Sequence, residues 1–192
     1  MAALTSMIST LLAVLVPKAS YSKWSFKRSG PTRPLEDDLL QRVTTILQAS
    51  EERFELPTVT RYQVGGHQKR HVDVYPSDDL ERLADAGGQR LANCLVYLAG
   101  DDCKGGRTVF HDSSMNGLKV TPQKGSAIIF FPAFQDGSPD QRMMHSGETV
   151  EAGEKWIVNS WLLQTKPSRV FAQQEALVGG EGEQASDSVR VR

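Results

Sequence analysis

The stretch KWIVNSWLL, residues 155 to 163, reads as a β-strand whose side chains alternate between two faces. Lys155, Ile157, Asn159 and Trp161 share one face; Trp156, Val158, Ser160 and Leu162 share the other. Both faces are largely apolar. Lys155 therefore either sits at the solvent edge of its strand or points into a barrel. The second case has a chemical requirement, because burying an ammonium without an anion disfavours its charged form by up to about 3–5 pKa units.

Upstream of this strand the chain is β-rich from Pro57 onward. Short apolar segments at 58–64, 71–75, 91–98, 107–110 and 126–131 are separated by Gly, Pro, Asp and Asn. Before them, Leu35, Leu39, Leu40, Val43, Ile46 and Leu47 recur at helical spacing. The acidic run Glu36-Asp37-Asp38 suits the start of that helix, where negative charge is favourable. One amphipathic helix followed by many short strands predicts an α+β domain: a double-stranded β-helix, or jelly roll, with a supporting N-terminal helix.

That domain is placed at residues 28–168, between an N-terminal segment, 1–27, and a polar, glycine-rich tail, 169–192, expected to be disordered. The apolar run from Leu11 to Val16, followed by Ala19-Ser20-Tyr21-Ser22, reads either as a leader or as a packing helix. The compartment thus stays open between the endoplasmic reticulum or secretory pathway and the cytoplasm. The run is shorter than the roughly 20 residues that span a bilayer, so stable membrane insertion is not expected. A formal net charge of -1 over 192 residues gives no bulk attraction for nucleic acid. The basic-aromatic group Lys23, Trp24, Phe26, Lys27 and Arg28 reads as solvated surface, and no nucleic-acid partner is expected. The cysteines, Cys94 and Cys103, are too few for a disulfide framework; Cys94 reads as packing and Cys103 as a loop thiol. Oligomeric state is not legible.

In RHVDVYP, residues 70 to 76, His71 and Asp73 stand two apart, so on a strand both side chains reach the same face. Alone, the pair is a weak signal. A third ligand from elsewhere, with His145 the obvious candidate, would make two histidines and one carboxylate, a set that leaves positions open on a divalent iron. A dicarboxylate co-substrate would supply the anion that an inward Lys155 requires.

With these residues in view, the chain resembles the iron(II)- and 2-oxoglutarate-dependent dioxygenases, and among them the prolyl 4-hydroxylase catalytic domain. The resemblance rests on R-Y-x-x-G-G (61–66), H-x-D (71–73), L-V-Y-L (95–98), G-G-x-T-V-F (105–110) and V-x-P-x-K-G-x-A-I-x-F (120–130). It continues through D-G-S-P-D (136–140) and H-S-G-x-x-V-x-x-G-x-K-W (145–156) to Trp161. It implies His71, Asp73 and His145 as iron ligands and Lys155 as the partner of the distal carboxylate of 2-oxoglutarate. It also implies Tyr62 and Thr108 as further co-substrate contacts, Trp161 as an aromatic wall and Arg90 near the peptide side. The implied cofactors are Fe(2+), 2-oxoglutarate, O2 and ascorbate. The implied reaction hydroxylates a proline-containing peptide or protein and releases succinate and CO2.

Two departures stand out. Arg107 occupies the acidic position of G-G-E-T, and Arg70 replaces a frequent proline before the first ligand. His67 and His111 read as ordinary surface residues. The alternatives are the same chemistry on a non-prolyl substrate and a non-catalytic jelly-roll binding module.

Overall fold

The computed structural model describes residues 12–14, 35–76, 78–168 and 186–190. The expectations for residues 1–11, 15–34 and 169–185, including the basic-aromatic group, lie outside the described residues.

The chain runs through β1 (Leu12–Val14), α1 (Leu35–Leu47), β2 (Thr58–Tyr62), β3 (Gln68–His71), α2 (Leu80–Ala86) and β4 (Arg90–Ala99). It continues through β5 (Lys104–Gly105), β6 (Thr108–Phe110), β7 (Lys119–Val120), β8 (Ala127–Phe130), β9 (His145–Gly147), β10 (Val150–Ala152), β11 (Lys155–Leu163) and β12 (Ser186–Arg190). The larger sheet has the order β1-β8-β4-β11-β2-β12 and the smaller one β3-β9-β6-β7, with β5 and β10 forming a separate antiparallel pair. Two antiparallel sheets with such crossovers form the jelly roll predicted from the strand pattern.

Two apolar layers explain why both faces of β4 and β11 are hydrophobic. On one side Leu39 and Val43 of α1 bury against Cys94, Val96, Ile129, Val158 and Leu162. On the other, Leu95, Tyr97, Ile128, Phe130 and Ile157 meet Phe110, Met143 and Val150, joining the two sheets. Within α1 the stripe is narrower than its sequence suggests, since Ile46 is 44% exposed. Cys94 packs under the helix as expected, and burial pushes its thiol up to about 12.

The structure corrects one strand boundary and describes two short terminal segments. The strand predicted at 71–75 ends at His71: Val74 N–H bonds to Val72 O at 2.8 Å, turning the chain at Asp73. Part of the tail expected to be disordered, Ser186–Arg190, pairs with β2, whose free N–H and C=O groups would otherwise form an open edge. Leu12–Val14, where a packing helix or leader was left open, pairs as a strand with β8. The unpredicted α2 has legible caps: Asp79 accepts from Arg82 N–H, and Gly87, with φ 84°, stops the helix in a left-handed conformation. Among the described residues no helix is long and apolar enough to cross a membrane.

Candidate metal centre

His71 ends β3 and His145 begins β9, and the two are direct cross-strand partners. Their ring centroids lie 4.3 Å apart. His71 Nδ1 bonds to Lys69 O at 2.8 Å and His145 Nδ1 to Met143 O at 3.0 Å. Because carbonyls only accept, each Nδ1 carries a proton, so in the neutral imidazole Nε2 is the atom left to bind a metal. The rings of Phe110 and Phe130 pack against His145 and fix its plane.

The turn after β3 brings Asp73 to the same point. His71 Nε2 lies 3.1 Å from Asp73 Oδ1, and His145 Nε2 lies 3.9 Å from Asp73 Oδ2. One ligand atom from each of the three residues falls within 4.8 Å of the others, the grouping that could hold a single metal ion. Asp73 is in turn held by Asn93, whose Nδ2 donates to Oδ2 at 2.6 Å, and by Trp161, whose indole N–H donates to the same oxygen at 3.3 Å. Oδ2 therefore carries two donors, leaving Oδ1 toward the common point. Such outer contacts orient a ligand before any metal arrives.

Electrostatics agree. Burial opposes the charge on Asp73, but the hydrogen bond from His71 and the charges of His145, His71 and Arg90 hold its carboxyl well below the usual range. Burial also opposes the charge on His71, yet Asp73 raises it overall, whereas burial lowers His145. The donor set of two imidazoles and one carboxylate, with protonated Nδ1 atoms turned away, fits a divalent metal.

A cavity of about 190 Å³ opens from this triad and runs between the sheets. Lys155 closes one end, 2% exposed, with Nζ donating to Gly106 O at 2.8 Å and lying 4.4 Å from the centre of the Tyr62 ring. Among the described residues no carboxylate lies within ion-pair distance of it. Burial brings its ammonium down to about 8 and pushes the Tyr62 phenol up to about 12. A Cβ on Gly147 would stand 3.5 Å from Lys155 Nζ and 3.3 Å from Gln68 Cβ, so glycine there preserves space beside the ammonium. Thr108, also on the cavity wall, shares a 2.7 Å hydrogen bond with the Tyr97 hydroxyl.

Thus His71, Asp73, His145, Lys155, Tyr62, Thr108 and Trp161 all line one cavity. Arg90 lies behind Trp161. Its guanidinium stacks 4.1 Å from that ring and 4.5 Å from Tyr75, and it pairs with Glu55 through Nε at 2.6 Å and a second nitrogen at 2.8 Å. Glu55, Asn93 and Asn159 escaped the sequence reading. Asn93 shares the inward phase of Leu95 and Tyr97 on β4, a signal visible in RLANCLVYL once one inward residue is known. Arg107, the departure at the acidic position, reaches Glu148 at 2.6 Å and 3.1 Å on the surface. The His67 ring reaches Gly65 O at 3.3 Å, and His111 bonds to Ser146 Oγ at 2.8 Å.

A jelly roll that presents two histidines, one aspartate and a buried lysine to one cavity has the donor set for a single divalent metal ion. Comparison with known proteins narrows this. The model of the 2OG-Fe(II) oxygenase superfamily matches residues 57–163, and this chain belongs to that family. The family's cofactors are Fe(2+), 2-oxoglutarate and O2.

Among the relatives, Prolyl 4-hydroxylase 1 of Arabidopsis thaliana is 34% identical over 146 residues, covering 70% of this chain and 50% of that protein. Prolyl 4-hydroxylase subunit alpha-1 of Homo sapiens is 31% identical over 146 residues, covering 76% of this chain and 26% of that one. The chain thus spans half or less of the length of these relatives. The viral collagen prolyl hydroxylase from Paramecium bursaria Chlorella virus-1, solved with 2OG, superposes with a TM-score of 0.55 at 28% identity, covering 69% of this chain and 74% of that one.

Proposed function

We propose that this chain is a prolyl 4-hydroxylase-like dioxygenase, acting on proline within a peptide or protein and releasing succinate and CO2. The observation that carries the reading is the pairing of a two-histidine, one-aspartate triad with a buried ammonium that, among the described residues, has no carboxylate of its own in the same cavity.

In this reading His71 Nε2, Asp73 Oδ1 and His145 Nε2 hold iron(II), which supplies dioxygen activation coupled to decarboxylation of 2-oxoglutarate. Lys155 takes the distal carboxylate of the co-substrate. With Lys155 this deeply buried a charge-assisted hydrogen bond is strong, and binding an anion favours the protonated amine. Thr108 adds a hydroxyl beside it, anchored by Tyr97. Tyr62 keeps its proton, so it offers a donor and a ring face rather than a competing anion. Trp161 walls the cavity and steadies Asp73. To Arg90, already committed to Glu55, we assign a supporting role behind Trp161 on the peptide side, and to ascorbate the role of reductant.

The test is mass spectrometry of proline-rich peptides incubated with the protein, Fe(II), ascorbate and 2-oxoglutarate, with succinate assayed in parallel. A one-oxygen gain localised to proline supports the reading. Succinate without peptide oxidation transfers the same chemistry to another substrate.

A further inference from the structure

The proposed reading uses the triad and Lys155 but not the polar wall beyond them. β2 and β11 pair so that Thr58 stands opposite Asn159, and both line the cavity. Asn159 lies four positions along the strand from Lys155, roughly 13 Å at about 3.3 Å per residue. The two ends of the cavity therefore meet different parts of whatever fills it.

The Asn159 amide is oriented from the metal side. Ionised Asp73 can only accept, so Asn93 turns its Nδ2 toward it. The same Nδ2 donates to Asn159 Oδ1 at 3.1 Å. With its oxygen occupied, Asn159 offers its Nδ2 hydrogens. Opposite it, Thr58 Oγ1 is buried and has no hydrogen-bond partner among the described residues. A hydroxyl desolvated in this way costs stability unless something completes it.

We propose that Asn159 and Thr58 form a subsite for a backbone carbonyl of the peptide substrate, an inference that rests on the prolyl reading. A carbonyl oxygen has two lone pairs and suits two neutral donors. A carboxylate suits them less, because neutral groups offset little of the desolvation of a full charge and the cavity's ammonium is at the other end. A purely apolar ligand would leave both donors unsatisfied.

The test is initial-rate kinetics on the full chain with Fe(II), 2-oxoglutarate and a Pro-Pro-Gly repeat peptide, comparing Thr58→Val and Asn159→Ala with the unaltered protein. Thr58→Val keeps a strand-forming shape and removes only an unsatisfied hydroxyl, so its melting temperature is expected to hold or rise. The peptide KM should rise about 3–10-fold in Thr58→Val and about tenfold in Asn159→Ala, the scale of one lost hydrogen bond. The KM for 2-oxoglutarate should stay within about twofold.

Co(II) titration, followed by visible absorption, shows whether Asn159→Ala has disturbed Asp73 through Asn93. If it has, Thr58→Val alone decides. An unchanged peptide KM, or a rise confined to 2-oxoglutarate, overturns the subsite and leaves the prolyl reading standing. Succinate without peptide oxidation by the unaltered protein overturns that reading and the peptide subsite with it.

Discussion

Lys155 and Arg90 are both cations withdrawn from water, at the closed end and behind the wall of the same cavity, and the protein treats them differently. Arg90, its side chain 15% exposed, meets Glu55 through two hydrogen bonds and is stacked between Tyr75 and Trp161. Burial works against its charge, but Glu55 more than restores it, holding the guanidinium above its ordinary value. Among the described residues Lys155 touches the Gly106 carbonyl and the face of Tyr62, and burial brings its ammonium down to about 8. In the proposed reading, a buried charge completed by the protein serves the fold, and one left incomplete takes the anion. The difference separates structural from binding cations without reference to any relative.

The largest expected effect removes the centre between them. Asp73→Ala should abolish both succinate formation and Co(II) binding while the far-ultraviolet circular dichroism is retained; turnover surviving the change would sink the ligand assignment. Next, Lys155→Met should raise the KM for 2-oxoglutarate by about 100-fold, the scale of a lost charge-assisted contact. Its melting temperature should stay level or rise, since a poorly compensated buried ammonium is gone. If the fold weakens instead, Lys155 is structural and the contrast with Arg90 collapses.

Arg90→Met should behave in the opposite sense. Leaving Glu55 buried without its partner is expected to cost about 3–5 kcal/mol in urea unfolding, partly recovered in the double variant with Glu55→Gln. Equal stability of the single variant and the unaltered protein would break the comparison from the other side.

A pH series sharpens it. Below about 8 Lys155 is charged in the free protein; above that value the folded amine loses its proton and with it the attraction for a carboxylate. The KM for 2-oxoglutarate should therefore climb, by up to about tenfold per pH unit, as pH rises through that value. The free protein moves the other way. Between about pH 8 and the ordinary lysine value near 10.4, the unfolded chain binds more protons than the folded one, so this residue's contribution to stability improves with pH. In Lys155→Met both trends should vanish. The smallest effect belongs to Arg107→Ala, whose exposed pair with Glu148 should leave the melting temperature nearly unmoved.

Much of this was legible where periodicity is long. KWIVNSWLL and RLANCLVYLA each carry enough alternation to show two apolar faces, and the helix stripe around Leu39 and Val43 is equally plain. The small sheet was not legible in the same way. β7 is two residues long and β9 three, too short for any pattern, and they are held by cross-strand neighbours distant in sequence. The triad was anticipated for a partly mistaken reason: Asp73 reaches His71 through a turn after the strand, not by sharing a strand face with it. Glu55 had no signal, and the inward phase of Asn93 and Asn159 on their strands carried no meaning until the groups they touch were known. An asparagine on an apolar strand has no local signature until the acid beside it is known.

The register of β3 against β9 has a mechanical consequence. β3 is an edge strand of four residues, and its paired positions on β9 are Gln68 with Gly147 and His71 with His145. An ion held by both histidines is therefore a rivet across the seam that fastens this edge to the sheet. Loading the metal should slow amide hydrogen exchange in β3 more than in β4, so the ion that equips the site for chemistry also decides how often that edge peels open.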